Sequence, residues 1–174
     1  MLEYLLQGFF LGLAYLAPIG MQNMYVINSA MRMSRIRAYQ VAFITCVFDI
    51  SLALACFFGV GAVLERFPVL RGVVLLFGFL AATYIGIRLI LSKPELKDIA
   101  MNEPMLKIAA MCFAVTWFNP NAVIDGTLLL GGIRASLPFD ASNLFILGVA
   151  LASFAWFNGL VTVISVFKSR ITGN

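Results

Sequence analysis

Residues Gly12–Met31 read GLAYLAPIGMQNMYVINSAM, and the decisive part is the interruption APIGMQN at Ala17–Asn23. The flanks are apolar, but the middle is not built for an unbroken helix. Pro18 removes a backbone donor and disturbs the preceding turn. Gly20 lowers helix stability, and Gln22 and Asn23 add side-chain amides. A second interruption, WFNPNAVID at Trp117–Asp125, places Pro120 between Asn119 and Asn121 in another apolar run. Broken helices persist in lipid where they are buried in protein or line a wet cavity. Their freed carbonyls and amides can then hold an ion or a polar substrate. One such proline reads as a kink. Two, each flanked by Asn or Gln at matching depth, read as a site.

The rest of the chain supports a membrane setting. Of 174 residues, 62% are hydrophobic and 11% charged, against about 45–50% and about 25% in soluble domains. A mean hydropathy of +0.99 excludes an ordinary soluble domain. A spanning helix needs about 20 mainly apolar residues. Five candidates follow: Tyr4–Ser29, Ala38–Val63, Gly72–Leu91, Leu106–Ile133 and Asn143–Phe167. The expected fold class is therefore all-α, a polytopic membrane helix bundle. The N-terminus carries Glu3 and no early Lys or Arg, unlike a signal peptide.

The net charge of +4 and pI of 9.2 could suggest nucleic acid. The basic residues sit beside apolar spans, so they read as membrane orientation and no nucleic-acid partner is expected. On one side fall Arg32, Arg35, Arg37, Lys93, Lys97, Lys168 and Arg170; on the other fall Arg66, Arg71 and Arg134. The richer side is expected to be cytoplasmic, with the N-terminus outside and the tail after the fifth span inside. The two broken spans also suggest an inverted repeat of three spans, a common transporter plan with its site at the repeat interface. The organisation expected is a first repeat over 1–92, a cytoplasmic linker over 93–105 and a second repeat over 106–174 that lacks its last span.

Small residues mark packing faces. Gly8 and Gly12 form a GxxxG pair, and Gly78, Ala82 and Gly86 recur at four-residue spacing. In the second span Ala42, Thr45, Cys46, Asp49, Ala53 and Cys56 share one small, polar face, which should look into the bundle; Phe43, Ile44, Phe48, Ile50 and Phe57 fall largely elsewhere. Cys46 and Cys56 are about 15 Å apart at helical rise, so they cannot pair.

Two carboxylates are the sharpest chemical feature. Asp49 lies about 18 Å of helical rise beyond Arg37, near the bilayer centre, and Asp125 follows Pro120 at depth. An intramembrane Asp costs about 2.5–3.5 kcal/mol to insert, which makes it a functional candidate. No Lys or Arg lies in the central part of any span. Two acids without a basic partner leave room for a cationic substrate or for protons. They could instead be capped by Thr45, Asn119 or Asn121. Trp117, Trp156 and Phe157 could line a pocket or pack helices.

At these residues the chain resembles the LysE/ArgO-type basic amino-acid exporters. The resemblance rests on Gly12–Met31, on FDISLALACFFGVG at Phe48–Gly61, on WFNPNAVIDGTLLLGG at Trp117–Gly132 and on GVALASFAWFNGL at Gly148–Leu160. It implies export of lysine, arginine or a related amino acid across the bacterial inner membrane by alternating access. It also implies a further C-terminal span, so the chain is expected to be a natural short form, a truncated product or a trimmed chain. By this analogy the substrate cation pairs with Asp49 and Asp125, while Gln22, Asn23, Asn119 and Asn121 bind its carboxylate and amine around the breaks at Pro18, Gly20 and Pro120.

No cofactor or resident metal is expected. The chain has no His, and no nucleophile–base pair is evident, so an enzyme is not expected. The GxGxxG and GxxxxGK[ST] patterns are absent, leaving the membrane potential or a proton gradient as the energy source. Homo-oligomerisation stays open. So do two other functions: export of another small solute, such as a neutral amino acid or a metal cation, and a truncated non-transporting membrane module that assembles with a partner.

Overall fold

The two interruptions are breaks between helices in the computed structural model, which describes residues 1–18, 20–60, 104–134 and 137–172. Helix α1 spans Leu2–Leu16 and α2 spans Met21–Arg32. Helix α3 spans Arg35–Leu54 and runs on as a π-helical turn over Ala55–Val60. Helix α4 spans Met105–Trp117. After the second break α5 spans Pro120–Asp125, followed by a π-helical turn over Gly126–Gly131 and a last turn over Gly132–Arg134. Helix α6, Phe139–Thr172, is the longest at 34 residues. The described residues contain helices and no strand.

Arg35–Gly59 and Asp140–Lys168 are long and apolar enough to cross a membrane. Helices α1 and α2, bent by 79° at the first break, pass the same test as a pair. Helix α4 is apolar but has only 13 residues before the second break. The candidate span Gly72–Leu91, with Gly78, Ala82 and Gly86, lies outside the described residues.

Helix α1 packs on α6 through glycines on both. A Cβ at Gly8 would collide with the Phe145 backbone, and one at Gly148 with the Leu5 backbone. A Cβ at Gly12 would stand 2.8 Å from that of Ala152 and 3.1 Å from the Val149 Cα. Lipid offers no hydrophobic drive between helices, so this close backbone approach supplies the van der Waals contact that joins them. From Gly8 on Phe145 to Gly12 on Val149 and Ala152 the contacts advance together along both helices, so α1 and α6 run parallel.

Helix α2 continues along the same neighbour. The Trp156 indole N–H donates to Asn23, and Lys168 Nζ donates to the Met33 carbonyl at 3.0 Å. Helix α3 returns antiparallel to α6, from Tyr39 against Thr162 to Phe57 stacked on Phe145 at 5.7 Å. Helix α4 then runs alongside α3, with Arg37 on Met105, Thr45 on Cys112 and Trp117 on Ser51.

The expected interior face of α3 is interior: Ala42, Thr45, Cys46, Asp49, Ala53 and Cys56 are all buried. Phe57 departs from the expectation, being fully buried rather than turned away. Phe57 follows Ala53 by four residues, so it falls on the same face as Ala53 and Cys56. All three cysteines are free and buried. Large apolar side chains cover the outside, including Phe10, Phe43, Leu106, Phe154 and Phe167, with Leu106 83% exposed. Polar groups gather inside, where lipid cannot reach them.

Candidate substrate site at the paired helix breaks

The first break is held open by Asn23. Its Nδ2 donates to the Leu16 carbonyl at 2.9 Å and to the Pro18 carbonyl at 3.0 Å. Leu16 is the last residue of α1, where carbonyls lack helical partners, and Pro18 lies in the break itself. The Asn23 Oδ1 accepts from Trp156 Nε1 at 3.0 Å. Every bond therefore ties the break to its own backbone or to α6. Gly20 is extended (φ −100°, ψ −173°) and starts α2, with the Met24 N–H donating to its carbonyl at 3.0 Å.

The second break restarts a helix in the ordinary way. The Asn119 carbonyl accepts from the Val123 N–H at 3.1 Å. Pro120 stands at the first helical position, where its missing N–H costs nothing. Asn121 follows it in the first turn of α5.

The two breaks meet. A Cβ at Gly20 would come within 3.4 Å of Asn119 Nδ2, and the Tyr15 hydroxyl donates to the Ala122 carbonyl at 3.2 Å. Between the breaks lies a cavity of about 100 Å³. Its polar lining includes Tyr15, Gln22, Asn23, Asn119 and Asp125, and Leu16, Pro18, Gly20 and Ala122 complete its wall. Asp125 is partly exposed there, while Gln22 and Asn119 are each 6% exposed.

Asp49 sits apart from this group. It has no exposed surface and does not line the cavity. Its Oδ1 accepts from Gln22 Nε2 at 3.0 Å, and its Oδ2 accepts from Ser153 Oγ at 2.6 Å. Thr45, read from sequence as a potential cap for an acid, instead donates to Cys112 Sγ at 3.3 Å. Among the aromatics, Trp156 holds Asn23, Trp117 donates to Ser51 at 3.2 Å, and Phe157 is buried in the core.

The sequence reading missed two participants. Ser153 is the one hydroxyl in the apolar run GVALAS, one helical turn before Trp156, so its place on the polar face of α6 was open to periodicity. Tyr15 precedes the first break by a single turn, and nothing in sequence pairs it with Ala122.

An all-helical bundle with an apolar exterior and a polar cavity between two broken helices defines a helical membrane protein. The chain belongs to the LysE type translocator family, which matches residues 13–174. It is 35% identical to an arginine exporter protein ArgO of Enterobacter sp. (strain 638), over 98% of this chain and 82% of the relative. The arginine exporter proteins ArgO of Salmonella paratyphi A (strain ATCC 9150 / SARB42) and Salmonella typhimurium (strain LT2) are each 34% identical over the same shares. No solved structure matches the chain.

Proposed function

We propose that this chain exports a basic amino acid, arginine or lysine, across the bacterial inner membrane by alternating access. The observation that carries this is the cavity between the breaks, where Asp125 is the acid in the lining. The names of the relatives agree with it, and they favour neither the export of other solutes nor a non-transporting module. The Asp125 carboxylate takes the substrate's positive charge. The first turn of α2, which has no side-chain cap, offers backbone N–H groups to the α-carboxylate. Asn119, Asn121 and Gln22 supply further hydrogen bonds. At about 100 Å³, the space is below the roughly 300–1,000 Å³ of ordinary small-molecule sites. It encloses one polar end of such a substrate, and movement of the flanking helices admits the rest.

The architecture that accompanies this function has five spans in two inverted repeats, over 1–92 and 106–174. Two features support it. The broken segments α1–α2 and α4–α5 run in opposite directions, and Val60 and Pro104 lie at opposite ends of the bundle, as one further crossing between them requires. Arg32, Arg35, Arg37, Lys107 and Lys168 share one end, which is the cytoplasmic one by the positive-inside rule.

Uptake of labelled arginine into inverted membrane vesicles tests the reading, because export from the cell is uptake there. Asp125→Asn keeps the shape and removes the counter-charge. It should lower apparent affinity for arginine by about tenfold or more, the scale of one charge-assisted hydrogen bond of about 1.5–3 kcal/mol. Norleucine, a neutral analogue of lysine, should compete equally well against variant and wild type. Equal loss for charged and neutral ligands would mean that Asp125 does not read the cation.

A further inference from the structure

We infer that Asp49 and Ser153 are positioning residues that act on the substrate through Gln22, and that of the two intramembrane acids only Asp125 meets the substrate directly. This rests on the export reading above and divides its two acids by role.

Burial gives the first argument. Asp49 is wholly covered, whereas Gln22 reaches both places: it lines the cavity and its amide nitrogen is bonded to Asp49. A ligand in the cavity meets Gln22 before it could meet Asp49. Hydrogen bonding gives the second. An ionised carboxylate only accepts, and both Asp49 oxygens already have protein donors, Gln22 Nε2 and Ser153 Oγ. The Ser153 bond, at 2.6 Å, lies in the range of charge-assisted O–H···O⁻ bonds. The same hydroxyl stands 3.3 Å from the Val149 carbonyl, so the carboxylate is its closer acceptor.

The consequence falls on Gln22. Its nitrogen donates to Asp49, which as a carboxylate cannot donate in return, so its carbonyl oxygen is turned away from Asp49. That fixes the sense of the amide presented at the cavity, and an oriented amide oxygen is an acceptor suited to a substrate ammonium or guanidinium. Ser153 secures the arrangement from the far side. Without its hydroxyl, Oδ2 loses the donor it has among the described residues, and the carboxylate is free to turn away from Gln22.

The test is a double-mutant cycle in the inverted-vesicle assay, with labelled arginine as the probe and the amount of protein in the membrane measured for each variant. Ser153→Ala should raise KM about tenfold at unchanged maximal rate per molecule, and Gln22→Ala should do the same. Because Ser153 acts through Gln22, the pair together should raise KM about tenfold, not about a hundredfold. Ser153→Thr, which returns a hydroxyl on the same backbone, should recover most of the loss. Multiplying effects in the double variant, an unchanged KM in Ser153→Ala, or a Thr variant no better than Ala would each overturn the inference while leaving wild-type transport, and so the export reading, intact. A wild-type chain that carries no basic amino acid would remove both.

Discussion

Asn23 makes the most exacting test of the first break, because all of its hydrogen bonds stay inside the protein. Its amide donates to the carbonyls of Leu16 and Pro18, and its oxygen accepts from Trp156. Asn23→Ala leaves two carbonyls and one indole N–H without partners. At about 0.5–1.5 kcal/mol each, the loss is about 2–4 kcal/mol, softened where water from the neighbouring cavity reaches the carbonyls. Asn23→Asp should be worse than Ala although it is nearly the same shape. It keeps the acceptor for Trp156 but replaces both donors with an oxygen that faces two carbonyl oxygens. Trp156→Phe removes one bond and should cost about 1 kcal/mol. Thermal unfolding of detergent-purified protein, scanned at one rate, should rank the variants wild type, Trp156→Phe, Asn23→Ala, Asn23→Asp in falling order. The Ala and Phe changes together should cost less than their sum, by about the value of the bond they share. An Asn23→Asp protein as stable as wild type would refute the clamp, since no arrangement of a carboxylate can donate to Leu16 and Pro18.

Two further outcomes follow from the breaks and from the charge distribution. Pro18→Ala with Pro120→Ala should leave folded protein in the membrane and lower arginine transport several-fold, because restored helix would close the cavity; full activity in the double variant would reduce the prolines to scaffolding. Cysteines placed singly at Ser34 and at Pro68, in a background without Cys46, Cys56 and Cys112, should react with an impermeant thiol reagent in intact cells at position 68 and not at 34, and the reverse pattern would invert the orientation.

The positions of the breaks were legible in sequence because Pro, Gly and paired amides oppose a helix at fixed places. The interior face of α3 was legible because small and polar residues recur at three- and four-residue steps. Phe57 belongs to the same series, four residues after Ala53, and its bulk, not its position, set it apart from the small and polar residues of that face. The candidate site was legible as a composition and not as a wiring. Gln22, Asn23, Asn119, Asp49 and Asp125 could be listed from their depth in apolar runs. Which of them faces the cavity depends on contacts between segments far apart in the chain, such as Ser153 with Asp49 and Tyr15 with Ala122. Asn23 illustrates the difference: an amide at membrane depth reads as a ligand, yet here its donors close the end of α1.

The same wiring constrains how the bundle can move. Asp49 belongs to α3, Gln22 to α2 and Ser153 to α6, so one carboxylate joins three helices. The glycine contacts fasten α1 to α6 at backbone distance, and Trp156 fastens the start of α2 to the same helix. Helices α1, α2 and α6 are thus bound more closely to each other than to α5, which meets them through the Tyr15 hydrogen bond and the contact of Asn119 with Gly20. A motion that opens the cavity at least cost separates α5 from α1 and α2. It breaks the Tyr15–Ala122 bond and keeps the Gln22–Asp49–Ser153 chain whole. Asp125 then moves with α5 and Gln22 stays with α2, so on the export function proposed above the acid and the amide that line the cavity lie on the two parts that separate.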